Sequence, residues 1–293
     1  MKEQEYEMSY SSLWKSIIRP PRDTYTEELM GENLFKFKGI TYLRKDYDII
    51  NNRGEIIKGS FVEPDDTSRV KEIMPIIIYL HGNSSSRMEG LRVLPELLKR
   101  NINLFVFDFA GCGLSEGEYI SLGWHETDDL NVIINFVEQL PRVGKIGLWG
   151  RSMGAATALI YNKNNDKISA TCYDSPFCNF TKLAKELSTK HVNLPSFLVS
   201  VALTFIRSSI QSRNGLDIYK LNPEDGAPFI KVPGLFIHAK NDELISLDHT
   251  LSIYEKYNGE KNLNVCDGSH NSIRNKQLHE KIADFFQKYL CEI

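Results

Sequence analysis

Lys145-Ile146-Gly147-Leu148-Trp149-Gly150-Arg151-Ser152-Met153-Gly154-Ala155-Ala156-Thr157-Ala158-Leu159 runs from an apolar strand through Gly-x-Ser-x-Gly into small, helix-forming residues. A serine on a sharp strand-to-helix turn has strained backbone angles and crowded surroundings, which gives Gly150 and Gly154 a steric role. The Ser152 hydroxyl is then expected above the sheet edge, with the first N–H groups of the helix pointing toward whatever it attacks. Ala155, Ala156 and Ala158 would let that helix lie close on the strands. The motif is short enough to recur by chance, so its context decides.

Working outward, strand and helix patterns alternate. Residues 75–80 are a continuous apolar run, 88–100 have helical spacing, and 103–107 read as another buried strand. A helix over 124–140 carries Glu126, Asp128 and Asp129 in its first turns, where they suit the positive end of its dipole. A strand over 168–173 ends at Asp174-Ser175-Pro176. Residues 177–229 interrupt the rhythm with helical, partly apolar sequence, and it then resumes: strand 234–238, helix 247–257, strand 262–266, helix 273–290. Upstream, 39–50 and 55–62 flank Asn51-Asn52-Arg53-Gly54 and read as an antiparallel hairpin. Residues 1–38 read as a surface-packed lead-in with a short helix near 11–18. The expectation is one α/β domain, a mostly parallel sheet of about eight strands covered on both faces, with its site in the loops at the strands' carboxyl ends.

Composition excludes several classes. With 293 residues, 42% hydrophobic, 25% charged and a net charge of -3, the chain is an ordinary globular protein with no basic excess for nucleic acid. Its five cysteines, Cys112, Cys172, Cys178, Cys266 and Cys291, are scattered and lack Cys-x-x-Cys spacing, so a reducing compartment is expected rather than a disulfide framework. The Cys and His placements match no metal site. Met1-Lys2-Glu3-Gln4-Glu5 lacks a secretory apolar core, and position 2 is not glycine. Cys291 stands third from the end, one place short of a prenylation box, and 194–206 is too short for an ordinary membrane span. A cytoplasmic location is expected.

A serine hydroxyl needs a base to take its proton and a carboxylate to orient that base. In hydrolases built on a doubly wound sheet the partners follow in the order serine, acid, histidine. Asp242 lies just past the strand ending at His238, and His270 just past the next, so both are expected on the rim that carries Ser152. Asp174 and Asp248 are rival acids. The other histidines fit less well: His238 is inside a strand, His249 and His279 read as surface positions on helices, and His125 and His191 precede the acid. An oxyanion needs two N–H donors. Met153 supplies one, and the loop His81-Gly82-Asn83-Ser84-Ser85-Ser86 places the backbone of Asn83 as the other, with His81 structural. The glycine-rich loop from Asp108 to Gly117 lacks a Gly-Lys-Ser/Thr ending and reads as a rim loop, not a phosphate loop.

Together, His81-Gly82-Asn83, Asp108-Phe109-Ala110-Gly111-Cys112-Gly113-Leu114-Ser115, Gly150-Arg151-Ser152-Met153-Gly154, Asn241-Asp242 and Gly268-Ser269-His270-Asn271 resemble the α/β-hydrolase superfamily. Within it the chain is similar to Bem46-like proteins, serine aminopeptidase-like lipases and depalmitoylating acyl-protein thioesterases. The resemblance covers about residues 35–290. It implies Ser152 as nucleophile, Asp242 as acid, His270 as base, Asn83 and Met153 as oxyanion donors, and no cofactor. The N-terminus lacks the cysteine cluster that anchors the membrane depalmitoylases. The expected substrate is an acyl ester or thioester, free or on an acylated protein, and 177–229 would be a lid whose Phe197, Leu198, Val199, Val201, Leu203 and Phe205 suit acyl chains or a membrane surface. The alternatives are a peptidase of the same fold and a catalytically silent binding protein.

Overall fold

The computed structural model describes residues 13–192 and 196–291. In chain order, a short helix α1 (Leu13–Ile18) precedes strands β1 (Leu34–Phe37), β2 (Ile40–Ile50), β3 (Ile56–Pro64) and β4 (Met74–Leu80). Helices α2 (Met88–Leu91) and α3 (Leu94–Leu98) then lead to β5 (Asn103–Phe107), α4 (Trp124–Glu138), β6 (Val143–Arg151), α5 (Met153–Asn162) and β7 (Ile168–Asp174). The connection from β7 to β8 (Gly234–Ala239) holds α6 (Phe180–Val192), α7 (Ser196–Asn214) and two 3₁₀ turns, Ile218–Lys220 and Pro223–Phe229. The chain finishes with α8 (Leu247–Lys256), β9 (Lys261–Cys266) and α9 (Lys276–Cys291).

The nine strands among the described residues form one sheet in the order β1-β2-β3-β5-β4-β6-β7-β8-β9. The first three strands and the β3–β5 pair are antiparallel, and from β5 through β9 every pairing is parallel. The expected hairpin is present, with Asn51 N–H donating to Glu55 O across its turn at 2.9 Å. The ninth strand is β1, four residues from the segment expected to be only a lead-in. That segment also reaches the interior: Ile18 is fully buried, and Trp14 lies beneath the Arg213 guanidinium of α7, 4.0 Å from its ring centroid.

Strands buried on both faces have no polar alternation, and here successive side chains feed separate cores. Ile76, Ile78 and Leu80 of β4 meet α4 and α5 residues such as Ile133, Ile134 and Leu159. Ile77 and Tyr79 point the other way, into a core with Leu97 of α3 and Ile282 and Phe286 of α9. The single helix expected over 88–100 is instead α2 and α3, because Pro95 in the first turn of α3 has no N–H to continue the α2 ladder. At the start of α4 it is Glu126 that meets the free amides, accepting from Ser121 and Gly123 N–H at 2.7 and 2.8 Å. Asp129 turns toward the hairpin, where it accepts from Asn51 and Arg53.

Candidate active site

Ser152 stands between the end of β6 and the first residue of α5 with φ 50° and ψ −113°. Its own backbone holds the turn: Ser152 N–H donates to Asp174 O at 2.8 Å, and its carbonyl accepts from Ala156 N–H at 3.0 Å. A Cβ on Gly154 would lie 2.1 Å from the Leu80 carbonyl oxygen, and one on Gly150 would lie 2.4 Å from the Gly154 carbonyl oxygen. No side chain fits at either place. The steric role assigned to the two glycines is therefore a matter of backbone packed on backbone.

The β8–α8 and β9–α9 loops bring two further residues to this turn. His270 Nε2 is 3.0 Å from Ser152 Oγ, and His270 Nδ1 is 2.6 Å from Asp242 Oδ2. Asp242 Oδ1 accepts from the N–H groups of Leu244 and Ile245 at 3.0 and 2.8 Å, leaving the other oxygen for the imidazole. Burial works against the Asp242 charge, but the bonds from His270 and Ile245 outweigh it and hold the carboxyl below its ordinary value. An ionised Asp242 favours a proton on the Nδ1 that faces it, and Nε2 is the ring nitrogen turned toward the hydroxyl.

The rival acid is committed elsewhere. Asp174 accepts from Arg274 Nε and Nη2 at 2.9 and 2.8 Å, a buried two-point pair. Asp248 sits in the first turn of α8. His81 is structural as expected, with Nδ1 2.8 Å from Gly82 O and Nε2 accepting from Phe109 N–H at 3.1 Å. His249 is not a surface residue: it is fully buried, its Nδ1 lies 3.1 Å from Cys178 Sγ, and its Nε2 lies 3.3 Å from Glu186 of α6. The face of α8 carrying Thr250 and Ile253 also carries His249. Helical spacing to Ile253, four residues on, was the signal for its burial. The glycine-rich loop is organised by buried Asp108, which accepts from Arg87 and Leu114 N–H and from the Tyr25 hydroxyl.

Ser152 opens into a cavity of about 870 Å³. Its lining includes polar Asn83, Ser84, Ser85, Arg92 and Asn271 and apolar Phe177, Phe180, Leu183, Leu187, Leu203 and Ile206. Met153 and Asn83, expected as N–H donors, both border it. Ser16 and Ile17 of α1 complete the wall, a contribution that a polar opening segment did not signal. Of the apolar residues expected to face substrate, Leu203 lines the cavity, whereas Val201 and Phe205 are 51% and 72% exposed on α7. Phe197, Leu198 and Val199 lie outside the residues whose side chains are described. Among the described residues no helix is long and apolar enough to cross a membrane.

Ser152 thus stands strained between a parallel strand and a helix, with a carboxylate and a histidine brought to it from the ends of β8 and β9, and the sequence around it matches a known family. The family model described as serine aminopeptidase, S33, matches residues 71–221, just over half of the 293 residues. The chain belongs to this family of α/β-hydrolases. The hydrolase is 31% identical over 241 residues to the uncharacterised protein YqkD of Bacillus subtilis (strain 168), covering 80% of this chain and 75% of YqkD. It is 26% identical over 198 residues to the lysophosphatidylserine lipase ABHD12 of Danio rerio, covering 65% of this chain and 49% of that protein. In three dimensions it resembles the esterase Pf2001 of Pyrococcus furiosus, with a TM-score of 0.69 and 23% identity over 92% of this chain and 99% of the esterase.

Proposed function

We propose that this α/β-hydrolase cleaves carboxylic esters or thioesters bearing an apolar acyl group, through a covalent acyl-Ser152 intermediate. The observation that carries the reading is the file of atoms from Asp242 Oδ2 through His270 to Ser152 Oγ, with steps of 2.6 and 3.0 Å. His270 Nε2 takes the hydroxyl proton as Ser152 Oγ bonds to the substrate carbonyl carbon. The oxygen becomes negative and is met by the N–H groups of Met153 and Asn83. His270 returns its proton to the departing alcohol or thiol. A water then repeats the sequence in place of Ser152, releasing the acid and restoring the hydroxyl.

The apolar side chains that α6 and α7 give the cavity lining support an acyl arm, and its polar residues, Arg92 among them, a polar leaving group. An aminopeptidase reading is less well served. A substrate's charged amine calls for a carboxylate, and Glu89 is the one carboxylate among the described residues lining the cavity. Glu89 is already paired with Arg151 at 2.8 Å.

A fluorophosphonate probe is expected to label the wild-type protein and not Ser152→Ala. p-Nitrophenyl esters of increasing chain length, set beside acyl-coenzyme A and aminoacyl amides, then read the acyl and leaving-group preference. Absence of labelling in a folded wild-type protein favours the silent binding protein. Faster cleavage of aminoacyl amides than of matched acyl esters favours the peptidase.

A further inference from the structure

The loops bearing Asn83, Ser152 and His270 come from three different strand ends, yet one buried ion pair touches all three. Arg151 precedes Ser152 at the end of β6, where the sheet fixes its backbone opposite Asp174. Its Nη1 donates to Glu89 Oε1 at 2.8 Å, while Nη2 donates to the carbonyls of His270 at 2.6 Å and Ser272 at 3.0 Å. The other oxygen of Glu89 accepts from the N–H of Gly82, the residue before Asn83, at 3.0 Å. Both side chains are about nine-tenths buried, at 11% and 9% exposure.

We propose that Glu89 and Arg151 are positioning residues, which set the oxyanion loop and the histidine loop against the nucleophile turn in one fixed geometry. The proposal rests on the reading of Ser152 as nucleophile. Desolvation offsets much of the attraction within a buried pair, so apolar side chains could replace it if stability were its only role. An apolar pair could not grip Gly82 N–H or the His270 and Ser272 carbonyls. Arg274 makes the contrast: it holds the Ser269 and Ser272 carbonyls at 3.0 and 3.3 Å and binds Asp174, but makes no bond to the oxyanion loop. Arg151, through Glu89, is thus the brace that joins the loop bearing Asn83 to the loop bearing His270. Displacing a reacting group by about 1 Å is enough to slow a reaction on the order of 10²-fold.

The test measures kcat and KM on a short-chain p-nitrophenyl ester, the rate of fluorophosphonate labelling, and the preference for an oxygen ester over the matching thionoester. Sulfur is larger and accepts hydrogen bonds poorly, so that preference reports on how well the N–H donors are placed. Wild type is compared with Glu89→Gln, Arg151→Met and Glu89→Met/Arg151→Met. Arg142→Gln is the control, since Arg142 pairs with Asp66 and Glu72 just before β6 begins, at the opposite end of that strand. In Glu89→Gln the amide must turn its NH₂ toward either Gly82 or Arg151, so one of the two bonds is lost.

The expected result is a fall in kcat of about 10²-fold with little change in KM for the Arg151 variant and the double variant, even where the double variant melts cooperatively. The oxygen-ester preference shrinks in all three, and Arg142→Gln behaves as wild type. A folded double variant with wild-type kcat overturns the proposal. So does Glu89→Gln with an unchanged thionoester ratio, a variant whose near-identical shape keeps the fold. A folded wild-type protein that the probe does not label overturns the nucleophile reading itself and the positioning role with it, which the variants alone would not do.

Discussion

At Ser152 the requirements of folding and of chemistry diverge. Its φ of 50° and ψ of −113° lie where a side chain is strained, and only a residue without Cβ is at ease there. Ser152→Gly is therefore expected to be inactive yet more stable than Ser152→Ala, by roughly 1 kcal/mol in urea unfolding; equal stabilities would mean the turn carries no strain. Gly154 makes the opposite case. A methyl group there meets backbone at 2.1 Å, so Gly154→Ala is expected to destabilise by about 3 kcal/mol, the upper end for overpacking, and to lower probe labelling. Gly39→Ala is the comparison, since that glycine, in the two-residue turn between β1 and β2, has a φ of 83° with nothing within 4 Å, and its penalty is about 1 kcal/mol of backbone strain. A mild loss in both would remove the steric account of the Ser152 turn.

Between elements, α6 is fastened to α8 through Glu186, which accepts from Ser246 Oγ at 3.0 Å and faces His249 Nε2 at 3.3 Å. Burial lowers the affinity of His249 for a proton, and Glu186 only partly restores it, so the folded value lies below the ordinary 6.5. The unfolded chain then binds the proton first as pH falls. Stability linked to His249 is present above that ordinary value and is lost in the window beneath it. The advantage of wild type over His249→Gln in urea midpoint is expected to shrink between about pH 7.5 and 5.5; a constant difference would contradict a neutral buried histidine. The apolar wall makes a separate prediction. Leu183→Trp adds bulk between α6 and α7, and should cut turnover of long-chain p-nitrophenyl esters while sparing acetate, whereas equal loss on both would place the acyl arm elsewhere.

Across the whole molecule, what could be read from sequence was what neighbours in the chain determine. Buried parallel strands such as β6 and β8 announce themselves as apolar runs with Ser152 and Asp242 just beyond them, whereas β9 is a half-exposed edge strand and His270 could be named only from its place after that strand and the order serine, acid, histidine. The choice between Asp174 and Asp242 depends on where Arg274 points, 100 residues from Asp174. The Glu89–Arg151 pair spans 62 residues. One sequence holds no information about such pairings, and a buried arginine looks like a surface one until its partners are known. For the same reason the lead-in could be read as superficial although Ile18 is fully buried. The connection that supplies α6 and α7 leaves β7 and re-enters at β8, and those strands lie side by side, Asp174 opposite Ile237. Its two ends are thus fixed at adjacent points of the sheet, downstream of Ser152 and upstream of Asp242 and His270. On the proposed reading, the helices beside the acyl group enter the fold as one insertion between neighbouring strands, so evolution can reshape their cavity-facing side while the strand ends that carry Ser152, Asp242 and His270 keep their places.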